Sequence, residues 1–154
     1  MTLISLSFLS SRQSRIFAAL FLICGVIAVL IFLQRNRDPS LAELLAIADA
    51  GDASKITHYI DKWATQDDRR DDARLLEAVV FLRAQRFQKS LAILSELNQD
   101  GPNRHEVLLY AGEALNLTRQ FSDAADVLSL LVREQPENVE GHRWLGATFY
   151  DLGA

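Results

Sequence analysis

The side chains that could perform chemistry are few in this sequence and lie far apart. None of the three histidines, His58, His105 and His142, has a Cys, Asp or Glu at the spacing of a metal site. The acidic run at 67–72 lacks the glycine and the spaced oxygen donors of a calcium loop. The sequence also contains no glycine-rich phosphate loop, no nucleophile elbow and no carboxylate pair in an apolar setting. We therefore expect no catalytic, metal or cofactor site, and a protein that is not an enzyme.

The charge of the chain beyond residue 37 argues against nucleic acid as a partner. From Asp38 onward there are 12 basic and 20 acidic residues, a net charge of −8. Nucleic acids are bound by clustered Lys and Arg that neutralise phosphates, whereas the basic residues here are scattered. Anionic lipid would repel the same charge, so we expect this part to stand away from a lipid surface.

A long apolar run near the N-terminus predicts a transmembrane helix. Residues 16–33 read IFAALFLICGVIAVLIFL and contain no charged side chain, and a helix of that length is about 27 Å long. A buried core helix and a cleaved secretion signal are the alternatives, but signal cores are usually about 7–15 residues long. We expect a short tail at 1–15, a juxtamembrane linker at 34–39, and a single-pass membrane protein with its remaining domain outside the cytoplasm.

The later sequence repeats itself with a period of 34 residues. Small, aromatic and proline residues recur at this offset, and fixed-period similarity is typical of a repeat array. These landmarks are Ala78, Gly112 and Gly146; Phe81, Leu115 and Phe149; Phe87 and Phe121; Ser90 and Ala124; and Pro102 and Pro136. A glycine inside a helix costs about 1 kcal/mol relative to alanine. Close packing of a neighbouring helix would explain such glycines, and we expect Gly112 and Ala124 to be contact points of this kind.

The order of residues within one unit resembles the tetratricopeptide repeat. That order is Leu108, Gly112, Leu115, Phe121, Ala124 and Pro136. The resemblance covers about 71–153 and implies a helix-turn-helix unit, with successive units stacked as antiparallel pairs in an all-α solenoid. The residues expected to pack between helices are Ala78, Phe81, Phe87, Gly112, Leu115, Phe121, Ala124, Pro136 and Gly146.

The same pattern divides the chain beyond the linker. Residues 40–66 lack most landmarks and are interpreted as a degenerate first helix pair or cap, beginning at Ser40 with Glu43 three residues on. Residues 67–154 form the array proper, with units at about 71–104 and 105–138 and a half-repeat at 139–154.

No second helix follows the half-repeat to cover its large side chains. Trp144, Leu145, Phe149 and Tyr150 are therefore expected to leave an apolar face open. The half-repeat could be a cap, could associate with a second copy through 139–154, or could belong to a truncated version of a longer array. Caps usually have a polar outer face, which favours self-association or truncation.

The resemblance also implies where a partner would bind, because the first helix of each tetratricopeptide unit lines a concave groove. The matching positions are Leu75, Val79, Leu82, Leu109, Glu113, Asn116, Arg143 and Tyr150. Such a groove suits an extended peptide or a partner helix; the alternative is that these residues only pack between helices. The subfamily that clamps chaperone tails uses Lys and Asn at groove positions, where this chain has Leu75, Val79, Leu109 and Glu113.

The sequence thus predicts a membrane-anchored scaffold that binds a protein or peptide partner and needs no cofactor. The alternatives are a non-catalytic accessory subunit of an envelope enzyme or secretion system, and a truncated fragment of a longer tetratricopeptide protein.

Overall fold

The computed structural model describes residues 21–29, 37–97 and 100–153, and these contain helices and no strands. The chain divides into two compact units, with the boundary between Pro39 and Ser40. The first unit contains α1, described at 21–29. The second contains α2 (Leu41–Asp49), α3 (Ala53–Ala64), α4 (Arg70–Arg83), α5 (Phe87–Glu96), α6 (Arg104–Leu117), α7 (Phe121–Glu134) and α8 (Val139–Asp151). The all-α expectation is confirmed over these residues.

The transmembrane prediction is wrong. Among the described residues, no helix is both long enough and apolar enough to cross a membrane. Nine residues of α1 are described; nine helical residues extend about 14 Å, roughly half of a bilayer's hydrocarbon core. Residues 16–20 and 30–33 of the predicted span lie outside the described part, as do the predicted tail at 1–15 and the first half of the linker, 34–36. The single-pass localisation and the placement outside the cytoplasm depended on this helix and are wrong with it.

Two helices of the second unit, α2 and α8, begin at a residue whose side chain accepts from a free backbone amide. At α2 the Ser40 hydroxyl accepts from the Glu43 amide at 3.3 Å, and the Glu43 carboxylate accepts from the Ser40 amide at 2.6 Å. This reciprocal pair is the capping box that the sequence predicts. At α8 the Asn138 side chain accepts from the Gly141 amide at 2.8 Å.

The 34-residue period of the sequence also appears in the backbone, as a turn that recurs at this spacing. One residue shortly after each of α2, α4, α6 and α8 has positive φ. These residues are Gly51, Gln85, Arg119 and Gly153, with φ of 82°, 59°, 64° and 73°. They are spaced at steps of 34 residues. A left-handed residue after a helix turns the chain back and satisfies its last carbonyls. The pair α2 and α3, which lacks the sequence landmarks, therefore shares the turn geometry of the later pairs.

Each helix of the second unit packs against the next one along the chain, and α2, α4, α6 and α8 also pack against one another in order. Short turns between neighbours make successive helices antiparallel. Two apolar clusters result. The larger joins α2 to α6 around Trp63 and Leu76, and the smaller holds Leu128 and Leu131 of α7 between α6 and α8. This alternating arrangement is compatible with a solenoid.

The small residues of the repeat do not all have the same role. A Cβ added to Gly112 would overlap the side chain of Leu128, and Ala78 and Ala124 are completely buried. Gly146, for which we also expected a packing role, would meet nothing within 4 Å. That expectation is wrong, because the described residues contain no helix over this face of α8. The remaining repeat-packing residues are half-buried at Phe81, Phe87, Leu115 and Phe121, and exposed at Pro136.

Candidate partner-binding recess

The candidate site is a recess of about 500 Å³ to which α2, α4, α6 and α8 all contribute. These are the first helices of successive pairs, so the recess lies on the side of the stack where such helices meet. Its lining is Asp49, Arg83, Leu109, Tyr110, Glu113, Glu140, Arg143 and Trp144. We call this set the polar recess.

Arg83 is the centre of the polar recess because it binds carboxylates on both neighbouring helices. Its Nε and Nη2 donate to Asp49 Oδ1 of α2 at 3.1 and 3.0 Å. Its Nη2 also donates to Glu113 Oε2 of α6 at 3.0 Å, and its Nη1 donates to Glu113 Oε1. A two-pronged guanidinium–carboxylate contact fixes direction as well as distance. The network therefore holds α2, α4 and α6 in one register.

Tyr110 completes this network from α6. Its hydroxyl donates to Asp49 Oδ2 at 2.9 Å, and the Arg83 guanidinium lies 5.9 Å from the centre of its ring. Burial raises the pKa of the Tyr110 hydroxyl well above its ordinary value, and the Asp49 carboxylate raises it further. The hydroxyl consequently stays protonated and acts as a donor. We call Asp49, Arg83, Tyr110 and Glu113 the polar wall.

The side chains of the polar wall are hydrogen-bonded to one another. The hydrogen bond to Glu113 is the main reason that the pKa of the Arg83 guanidinium is raised, so the cation does not lose its proton. Most of the hydrogen-bonding atoms of the polar wall are already bonded to other atoms of the wall. Among the residues that the structure describes, no group of His, Cys, Asp and Glu could hold a metal ion.

The opposite side of the polar recess is more accessible and comes from α8. Arg143 and Glu140, both more than half exposed, form an ion pair at 2.7 Å. The Arg143 guanidinium also lies 4.4 Å from the centre of the Trp144 ring. Cation, carboxylate and aromatic ring therefore lie together beside Leu109, which gives a ligand both polar and apolar contacts.

Three of the predicted groove residues do not line the polar recess. Leu75, Val79 and Leu82 are buried in the larger apolar cluster. The physical reason is that α4 is covered by α2, α3, α5 and α6, so positions that would face a groove elsewhere face other helices here. The alternative interpretation, packing between helices, is the one that these three follow.

The other predicted groove residues are divided between three environments. Leu109, Glu113 and Arg143 line the polar recess, although Glu113 is buried in the wall. Asn116 is buried too, and its side-chain amide donates to Thr148 Oγ1 of α8 at 2.9 Å. Tyr150 is largely exposed and does not line the recess. The sequence interpretation thus found part of the site and also counted residues that hold the helices together.

Sequence reasoning missed four residues of the polar recess, Asp49, Arg83, Tyr110 and Glu140, and it placed Trp144 on the open face of α8 instead. A signal for the first two was present, because Asp49 and Arg83 are 34 residues apart and so occupy the same position in successive units. Opposite charges at one repeat position predict an ion pair between neighbouring first helices. Tyr110 had no comparable signal, since its hydroxyl reaches across 61 residues of sequence.

A second recess, of about 600 Å³, lies among α5, α6 and α7. Its lining is mostly aliphatic, including Leu91, Leu115, Val127 and Leu130, and Asp126 is its charged residue. Specific ligand sites combine apolar surface with a few placed polar groups. The polar recess meets that description better because it has charged, aromatic and aliphatic groups within one cavity.

Comparison with known proteins gives no match for this chain. No protein-family model, curated protein or solved structure is significantly similar to it. The resemblance to tetratricopeptide repeats therefore stays a prediction, supported from within the chain by the period in its sequence and the four left-handed turns in its backbone.

Proposed function

We propose that residues 40–154 form a tetratricopeptide-like array whose polar recess binds a short extended segment of a protein partner, without catalysing a reaction. The observation that supports this most is the polar recess itself, where four first helices contribute to one cavity. Its polar wall is internally hydrogen-bonded. A wall that is already rigid loses little conformational entropy when a ligand binds.

The charges of the recess favour a basic ligand. It contains three carboxylates, on Asp49, Glu113 and Glu140, and two guanidinium groups, on Arg83 and Arg143. The rest of the domain adds to the excess, since residues from Asp38 onward carry 12 basic and 20 acidic side chains. An acidic surface speeds the approach of basic partners and disfavours acidic ones.

The apolar groups of the recess define a second requirement. Leu109 and Trp144 present hydrocarbon surface beside the exposed Glu140. A peptide that carries Lys or Arg next to an aliphatic or aromatic residue would place the cation against Glu140 and the apolar side chain against Leu109. We propose that the ligand has this pair of side chains.

The experiment is a selection from a display library of random twelve-residue peptides against the full-length chain. Peptides enriched in Lys or Arg beside an apolar residue are expected. For a selected peptide, Glu140→Lys should weaken binding by about tenfold or more, since a reversed charge at close range is worth over about 1 kcal/mol. Glu137→Lys is the matched control, because Glu137 is also exposed but does not line the recess.

The two variants give a direct decision. Equal weakening by both would mean that only the overall charge of the domain matters, and the polar recess would not be the site. Failure to select any peptide would also contradict the proposal.

A further inference from the structure

One face of α8 is open, and its composition is unusual for a solvent-facing helix. Val139 is 76% exposed and Phe149 is 41% exposed. Between them lies Gly146, where an added Cβ would meet nothing within 4 Å. With His142, these residues follow one another at spacings of three and four, so they lie on one side of the helix. We call Val139, His142, Gly146 and Phe149 the outer face of α8.

The opposite face of α8 holds it to the array. A Cβ added to Gly141 would lie 3.0 Å from Leu131 Cδ2 of α7. Thr148 is completely buried and bonded to Asn116 of α6. Trp144 and Leu145, which we expected on the open face, pack instead against the cluster around Leu128 and Leu131. The other two residues expected on the open face, Phe149 and Tyr150, are exposed. The open face is therefore smaller than the sequence indicates.

The chain contains a covered copy of this face one repeat earlier. Gly112 of α6 is 34 residues before Gly146, and the isobutyl group of Leu128 occupies the space that its missing side chain leaves. Leu128 is completely buried there. The contact between α6 and α7 thus shows which chemistry fills a glycine at this position: a leucine from a helix running antiparallel.

We propose that the outer face of α8 docks an amphipathic helix of a protein partner, antiparallel to α8, with a leucine seated over Gly146. The helix should resemble α7, which presents Ala124, Leu128 and Leu131 to its neighbours as buried residues. A small residue four positions before the leucine lets the two backbones approach. This proposal does not depend on the polar recess.

The difference between Val139 of the outer face and the equivalent residue of its covered copy makes the inference specific. His105 of α6 contacts Glu134 Oε2, in the last turn of α7, at 3.2 Å and the side-chain amide of Gln135, just beyond α7, at 2.9 Å. The equivalent position in α8 is Val139, whose side chain has no hydrogen-bonding group. The partner helix should therefore have an apolar residue where α7 has Glu134.

The test uses a peptide with the α7 sequence, residues 120–135, as probe. Short isolated helices are marginal in water, so Ser122→Lys is introduced and joined to Asp126 by a lactam; both positions are exposed in α7. Binding of the labelled peptide to the full-length chain is measured by fluorescence anisotropy. Glu134→Leu in the peptide should tighten binding, and Leu128→Ala should weaken it by about tenfold or more, as loss of a central leucine does.

The complementary change is Gly146→Leu in the protein. The new side chain would occupy the space over residue 146 that the leucine of the partner helix needs. Leucine is a better helix former than glycine, so the fold is retained while peptide binding is lost. Ala46→Leu, at an exposed position of α2, is the matched control and should leave binding unchanged.

Three results would overturn the proposal. The first is no binding by the lactam peptide with or without Glu134→Leu. The second is binding that survives Gly146→Leu. The third is a dimer in sedimentation velocity that Gly146→Leu dissociates, since the outer face would then be occupied by a second copy.

Discussion

Gly112 and Gly146 allow the same substitution to be made at equivalent positions of α6 and α8. The first is covered by Leu128 and the second is open. Replacing glycine by alanine inside a helix stabilises it by about 1 kcal/mol. At Gly146 nothing opposes this gain, so Gly146→Ala should raise the free energy of unfolding by about 1 kcal/mol.

At Gly112 the same methyl group has no space. It would lie 3.2 Å from Leu128 Cδ1 and closer still to Cγ and Cδ2, and Leu128 is completely buried. Overpacking of this kind costs about 1–3 kcal/mol, which equals or exceeds the gain in helix propensity. Gly112→Ala should therefore lower the free energy of unfolding by up to about 2 kcal/mol, and the two variants should differ by about 1–3 kcal/mol.

Urea unfolding followed by circular dichroism measures both variants. Because repeat arrays can lose cooperativity, the slope of each transition should be checked before free energies are compared. A double-mutant cycle isolates the contact: Leu128→Ala alone should cost about 2–5 kcal/mol, and less in the Gly112→Ala background, where the new methyl fills part of the cavity. If Gly112→Ala stabilised the protein as much as Gly146→Ala, the close approach of α6 and α7 would be refuted.

Three further predictions concern the ion pairs, a cap and a turn. Glu113→Ala should cost about 2–4 kcal/mol, because it leaves Arg83 partly buried with one carboxylate fewer, whereas Glu140→Ala should cost under about 1 kcal/mol since its ion pair is exposed; thermal melts of the two variants would contradict this if they coincided. Ser40→Ala removes the capping box of α2 and should cost about 1 kcal/mol, detectable as faster amide exchange in α2 than in α6. Arg119→Gly relieves a positive φ of 64° and should stabilise by up to about 1 kcal/mol; a lower melting temperature would count against strain at that turn.

The architecture could be predicted because its signals are local and recur. The capping box at Ser40 needs only two residues three apart, and the helix turns need one left-handed residue each. The period could be recognised from small and aromatic residues. Gln85 and Arg119 also recur with this period, but their residue types do not predict a left-handed backbone. Only the spacing to Gly51 and Gly153 indicates those turns in advance.

The groove was harder to predict because burial depends on how many neighbours a helix has. The same position faces the polar recess in α6 at Glu113 and the core in α4 at Val79. Since α4 has neighbours on every side and α8 has fewer, one repeat position takes different environments along the array. Periodicity assigns equivalent positions but does not assign their exposure.

The transmembrane prediction was wrong because an apolar sequence is only one of the two properties that a membrane span requires. The apolar composition of 16–33 measures how readily those side chains leave water. A membrane span must also be long enough, and over the described residues no helix is both long enough and apolar enough.

One repeat position carries a charged residue in α2 and in α4 but an uncharged one in α6. Asp49, Arg83 and Leu117 occupy one repeat position in α2, α4 and α6. Asp49 and Arg83 form an ion pair, whereas Leu117 cannot form an ion pair with α8. α8 is held instead by the bond between Asn116 and Thr148 and by apolar contacts. Arg143 pairs within its own helix, with Glu140, and both side chains line the polar recess.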